Sequence, residues 1–133
     1  MRVVILGCGR VGAHLARMLT DEGNQVAVID RNRAAFDRLG EDFPGQLVMG
    51  TGIDEDVLRR AGIEGADAFV SVTNGDNTNV MAAQLVKRLF KVPRAMCRIY
   101  DPLREEIYRG LGLETFCPTV WGATRIKELL SKS

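Results

Sequence analysis

The polar and apolar positions of this chain fall into two repeating patterns. Short apolar-rich runs recur at Val3–Leu6, Val26–Ile29, Gln46–Met49, Asp67–Val72, Ala95–Ile99 and Glu114–Cys117, the first two of them unbroken. Runs of this length without a polar alternate are what strands buried on both faces require. Between them lie stretches with helical spacing. One opens within the glycine turn, with Val11, Leu15, Met18 and Leu19. A shorter one spans Arg31–Leu39 with Ala35, Phe36 and Leu39 on its apolar side. Others cover Glu55–Ala61, the segment through Phe90 (Val80, Ala83, Leu85, Val86 and Leu89 inward), a stretch from Pro102 to Gly110 or Gly112, and Pro118 to the terminus. Boundary chemistry agrees. Asp54 and Asp101 stand at N-cap positions, Pro102 at N1, and Gly62 at a helix end. Six strands alternating with six helices through short connections predict an α/β fold. It is a single Rossmann-like doubly wound domain, with a six-stranded parallel sheet in the order 3-2-1-4-5-6 and helices on both faces.

In such a sheet ligands bind at the carboxyl ends of the strands, near the switch point between strands 1 and 4. The segments there are small and polar: Gly7–Gly12, Asp30-Arg31, Gly50–Gly52 and Thr73-Asn74. Gly7, Gly9 and Gly12 have the spacing G-x-G-x-x-G, directly after a buried strand and at the opening of a helix. Asp30 closes the second strand, 18 residues beyond Gly12. Gly7 permits the tight turn, Gly9 lets backbone approach a pyrophosphate, and Gly12 lets helix and strand pack closely. The helix start offers free N–H groups and the positive end of its dipole. Asp30 suits ribose hydroxyls and disfavours a 2′-phosphate, which points to NAD or an adenosine phosphate over NADP. Arg31 acts in the other direction, because an arginine there accommodates a 2′-phosphate; it could equally stack on adenine.

Composition narrows the classes. The 133 residues are 46% hydrophobic, enough for one compact core. Eighteen basic against seventeen acidic side chains leave a formal charge of +1, with no electrostatic footprint for nucleic acid. Cys8, Cys97 and Cys117 show no C-x-x-C spacing, so neither a disulfide framework nor a metal site is expected. Cys8, inside the glycine turn, is either an oxidisable thiol or a small filler. With strand 1 starting after Met1 and no apolar run near 18 residues, a cytoplasmic domain without direct membrane insertion is expected.

Catalytic groups are sparse. His14 stands without a visible partner, no G-K-[ST] phosphate loop occurs, and neither Tyr100 nor Tyr108 is followed by lysine four residues later. Glu105-Glu106 reads as a solvated helix face. No catalytic residue is assigned.

Taken together, the motifs resemble the RCK/KTN (TrkA-N) nucleotide-binding domain, the regulatory module of Trk- and Ktr-type potassium uptake systems and of several potassium channels. The resemblance runs from residue 2 to about residue 120. It rests on Gly7-Cys-Gly-Arg-Val-Gly12, Val28-Ile29-Asp30, Gly50-Thr-Gly-Ile-Asp54, Thr73-Asn-Gly-Asp76 with Asn79, Arg98, Gly112 and Pro118. It implies a nucleotide, NAD or NADH with ATP, ADP or AMP as the alternative. The implied contacts are Gly7, Cys8, Gly9, Arg10, Val11, Gly12, Asp30, Arg31, Thr51, Gly52, Thr73, Asn74 and Arg98. Arg10 would reach phosphates from the helix start and, in relatives that bind ATP and ADP, sense the terminal phosphate across a dimer. The implied domain plan is a nucleotide-binding unit over residues 1–117 and a crossover helix over 118–133. Val120, Trp121, Ala123, Ile126, Leu129 and Leu130 make that helix apolar enough to pair with a second protomer as a homodimer or higher oligomer. The implied function is regulation of a membrane potassium transporter subunit from the inner face of the plasma membrane. Two alternatives compete. One is the nucleotide-binding part of an NAD-dependent oxidoreductase whose substrate domain lies elsewhere. The other is a CoA-binding Rossmann domain, which Asp30 opposes because it would face a phosphorylated ribose. The family usually continues into a smaller C-terminal domain.

Overall fold

The computed structural model describes residues 1–132. Six parallel strands, β1 (Arg2–Leu6), β2 (Gln25–Asp30), β3 (Gln46–Met49), β4 (Ala68–Ser71), β5 (Arg94–Arg98) and β6 (Glu114–Phe116), form one sheet ordered β3-β2-β1-β4-β5-β6. This is the expected doubly wound order. Strand ends differ from the expected ones by a residue, as ladder ends do.

Alternation along β1 builds the two halves of the core. Val3 and Ile5 face one side with Val26 and Val28, covered by α1 (Arg10–Asp21) and a 3₁₀ helix (Arg33–Leu39). Val4 and Leu6 face the other side with Ile29 and Val48. There they meet Leu58 of α2 (Glu55–Arg60), Val80 and Val86 of α3 (Asp76–Leu89), and Tyr108 of α4 (Pro102–Gly110).

Three expectations about faces are corrected. In α1 the buried residues are Gly12, Ala13 and Ala16, while Val11 and Met18 are exposed. Small side chains let this helix lie close on the sheet, Leu15 and Leu19 pack half-buried against the same core as expected, and Val11 and Met18 are displaced outward. Leu89, expected inward on α3, is likewise exposed. Glu105, expected in solvent, is buried; its carboxylate accepts from Thr115 Oγ1 at 3.1 Å and from Arg109 Nη1 at 3.3 Å. A buried carboxylate needs such partners to offset desolvation.

The short helix expected after β2 is present, in 3₁₀ form. Arg33–Leu39 is a 3₁₀ helix, opened by Asn32, whose side chain accepts from Ala34 N, and closed by Gly40 at φ 83°. In a connector this short, i→i+3 bonds tighten the turn enough to bury Ala35 and Leu39 against the sheet.

The last helix, α5 (Pro118–Leu130), has no buried residue. Val120, Trp121, Ile126, Leu129 and Leu130 are all exposed, with Trp121 held at its base by the Phe116 ring at 6.1 Å between centroids. No helix among the described residues is long and apolar enough to cross a membrane.

Candidate nucleotide-binding cleft

The carboxyl ends of β1, β2, β3 and β4 open on a cleft of about 520 Å³, within the usual range for a small-molecule site. Its lining includes Gly7, Cys8, Gly9, Asp30, Arg31, Thr51, Gly52, Thr73 and Asn74, so nine residues singled out in the sequence converge there.

The floor is the turn after β1. Gly7 takes φ 107°, a conformation that L side chains rarely adopt, and donates its N–H to Ile29 O at 2.8 Å. Gly9 is the N-cap of α1, in extended backbone, and no side chain caps that helix. A Cβ at Gly9 would meet nothing within 4 Å, so the glycine leaves open space at the helix start. The first turn of α1 carries no acidic residue, which leaves its N–H groups and dipole free for an anion.

Asp30 ties two loops together. Its Oδ2 accepts from Cys8 N at 2.8 Å, and its Oδ1 accepts from Asn32 N at 2.8 Å. Each oxygen keeps further acceptor capacity toward the cleft. The Cys8 thiol is buried, and burial together with the nearby Asp30 charge pushes it up to about 11 despite the opposing Arg38. It is therefore a protonated filler under the turn and not a nucleophile at neutral pH.

The wall after β4 is held from below by a buried polar cluster. The Asn79 side chain accepts from Thr73 N at 2.9 Å and donates to Thr73 O at 3.0 Å and Arg98 O at 2.9 Å. Arg98 is itself buried. Its Nη2 donates to Val72 O at 2.7 Å and Thr73 O at 2.9 Å, and its guanidinium lies 4.7 Å over the Tyr100 ring.

Four singled-out residues do not line the cleft. Arg98 faces the back of the Val72–Thr73 loop, because its long side chain follows the carbonyls that β4 leaves unpaired. Arg10 and Val11 project outward from the first turn of α1 and are exposed. Gly12 sits behind the turn, where a Cβ would overlap the Gly7 carbonyl oxygen and lie 3.0 Å from its carbon.

The sequence pattern missed one charged residue. Asn32, Ala35 and Arg38 all line the cleft at intervals of three, the eclipsed repeat of a 3₁₀ helix. Arg38 Nη1 reaches Cys8 O at 3.4 Å. On α-helical spacing these three would fan around the helix, so only the structure brings Arg38 to the site.

A glycine turn on an uncapped helix, an acid at the next strand end and a polar cleft at the switch point together define a Rossmann nucleotide-binding domain. A family model for the TrkA-N domain matches residues 3–118. The chain belongs to the TrkA-N domain family. It is similar to the Trk system potassium uptake protein TrkA of Streptomyces coelicolor, 47% identical over 133 residues, which are 100% of this chain and 60% of that protein. A TrkA homolog of Pyrococcus abyssi is 38% identical over 108 residues, 81% of this chain and 48% of that one. The chain thus spans about half to three-fifths of the length of these relatives. Among solved structures, the TrkA-N domain of the inner membrane protein ybaL of Escherichia coli superposes with a TM-score of 0.87 at 19% identity, covering 98% of this chain and 96% of that one. The Shewanella denitrificans Kef CTD in its AMP-bound form gives 0.84 at 21%, covering 100% and 84%. The GsuK channel bound to NAD gives 0.71 at 20%, covering 86% and 21%. At these identities the structures share the fold.

Proposed function

We propose that this chain is the nucleotide-sensing module of a potassium uptake system. It binds NAD(H), or alternatively ATP, ADP or AMP, in the cleft and passes that occupancy to a membrane potassium transporter or channel. The observation that carries this is the meeting of the Gly7–Gly9 turn and Asp30 on one cleft whose phosphate end is an uncapped helix start. Solved neighbours hold AMP or NAD, and a relative 47% identical over this chain is a Trk system potassium uptake protein.

In this reading the backbone of Gly7–Gly9 cradles phosphates, Asp30 accepts ribose hydroxyls, and Thr51-Gly52 and Thr73-Asn74 close on the ligand. Arg10 reaches the phosphate end from outside, and Arg98 positions the Val72–Thr73 wall. The domain acts as a sensor without chemistry, working from the cytoplasmic face of the plasma membrane through its partner. Residues 118–132 form a crossover unit that docks on a second protomer, Ser133 lying outside the described residues. That pairing covers the exposed apolar face of α5 and gives nucleotide exchange an interface to move.

Calorimetry with NADH tests the assignment. Asp30→Ala weakens binding at least roughly tenfold, about 1.4 kcal/mol, and Asp30→Asn, which keeps an acceptor for Cys8 N, separates ribose contact from loop support. Unchanged affinity in both variants refutes the site. NADH turnover with added acceptors would favour the oxidoreductase alternative instead, and a strictly monomeric chain at micromolar concentration by light scattering would refute the pairing through α5.

A further inference from the structure

The cleft has three side chains that are formally charged at neutral pH: Asp30, Arg31 and Arg38. One acid against two bases leaves the ribose end net positive, the opposite of what an acid standing alone at the end of β2 would give.

The hydrogen bonds sharpen this. Both Asp30 oxygens already accept backbone N–H groups, from Cys8 and Asn32, which partly neutralises its field. Arg38 spends one of its five N–H donors on Cys8 O at 3.4 Å, a long contact, and among the described residues the other four make no hydrogen bond to protein. Among the described residues neither Arg31 nor Arg38 pairs with a carboxylate, although the chain makes six other ion pairs. Arg31 follows Asp30 directly, and Arg38 meets Cys8, the residue whose N–H Asp30 holds. Both arginines thus line the same cleft as the carboxylate.

We propose that Arg31 and Arg38 form an anion subsite beside Asp30, so that the cleft accepts a dinucleotide phosphorylated on the 2′-oxygen of its adenosine ribose as well as the unphosphorylated one. This rests on the nucleotide reading above and extends it to ligand class. Asp30 serves the free ribose; when a phosphate is present, the arginines outweigh the repulsion of that single carboxylate. Planar guanidinium forks suit phosphate oxygens. Arg38 belongs to the subsite only because the 3₁₀ repeat eclipses it with Ala35 and Asn32.

The experiment is calorimetric titration of the intact chain with NADH and with NADPH at matched salt, for wild type, Arg31→Gln, Arg38→Gln and the double variant. Thermal melts check that each variant folds. Wild type is expected to bind the two ligands with dissociation constants within tenfold of each other. The double variant loses NADPH affinity at least ten times more than NADH affinity, and Arg38→Lys retains most of the NADPH binding. NADH binding with NADPH more than a hundredfold weaker in wild type overturns the subsite and leaves the nucleotide reading standing. Equal losses for both ligands in the variants also overturn it, since they mark arginines that stack on adenine or brace the loop. If none of NADH, NADPH, ATP and ADP binds, the nucleotide reading fails and takes the subsite with it.

Discussion

Gly9 and Gly12 belong to one motif, yet their surroundings predict opposite consequences for the same substitution. At Gly12 an added methyl would overlap the Gly7 carbonyl oxygen and crowd a Val72 methyl at 3.3 Å. The neighbour is backbone in a turn already held at φ 107°, so it cannot swing aside. Relief requires α1 to move off β1, an overpacking that costs about 1–3 kcal/mol. Unfolding entropy of about 2.1 cal/mol/K per residue puts this chain near 280 cal/mol/K, so 2 kcal/mol lowers Tm by roughly 7 °C. At Gly9 a Cβ meets nothing within 4 Å and the backbone is extended, so Gly9→Ala leaves stability within about 0.5 kcal/mol. It does, however, fill the space where a phosphate would approach, and nucleotide affinity falls at least roughly tenfold, about 1.4 kcal/mol. Thermal denaturation without ligand and calorimetry with NADH read the two effects separately. The reasoning is refuted if Gly12→Ala melts with wild type, or if Gly9→Ala destabilises the chain as much as Gly12→Ala does.

Three further outcomes follow from buried side chains. Asn79→Leu leaves the Thr73 N–H and the carbonyls of Thr73 and Arg98 without their side-chain partner, and lowers stability by roughly 3 kcal/mol in urea unfolding. Cys8 and Cys97, both pushed up to about 11 chiefly by burial, resist a thiol reagent at pH 8 until denaturant is added. The linkage has a definite sign. Between an ordinary thiol value of 9.0 and about 11, the unfolded chain has released protons that the folded one retains, so stability falls as pH rises through that window. Replacing both by alanine removes that part of the alkaline slope in pH-dependent melts.

How much of the site could be read from the chain differs residue by residue. Gly7, Gly9 and Asp30 were legible because their tasks are local: a turn conformation, a close backbone approach, an acid at a strand end. Arg98 was legible only as a candidate for the cleft, which it does not line. Whether a guanidinium enters the cleft or braces the wall behind it depends on the Val72 and Thr73 carbonyls, which lie 25 or 26 residues away. Arg38 carried no signal, since helical periodicity does not distinguish an α-helix from a 3₁₀ helix over seven residues.

The sheet order, the parallel pairing and the place of the cleft are properties of the sequence by itself. Apolar runs mark strands buried on both faces, short helical connectors force right-handed crossovers, and G-x-G-x-x-G before an acid marks the switch point. Only the tertiary structure decided which helix faces are buried and where the long polar side chains end. Gly12, Ala13 and Ala16 seat α1, with Leu15 and Leu19 half-buried beside them; Glu105 is inside because Thr115 and Arg109 meet it. The difference is physical. Backbone conformation and hydrophobic period are set within a few residues, whereas the path of an arginine or glutamate is set by the carbonyls and charges that distant segments leave unpaired.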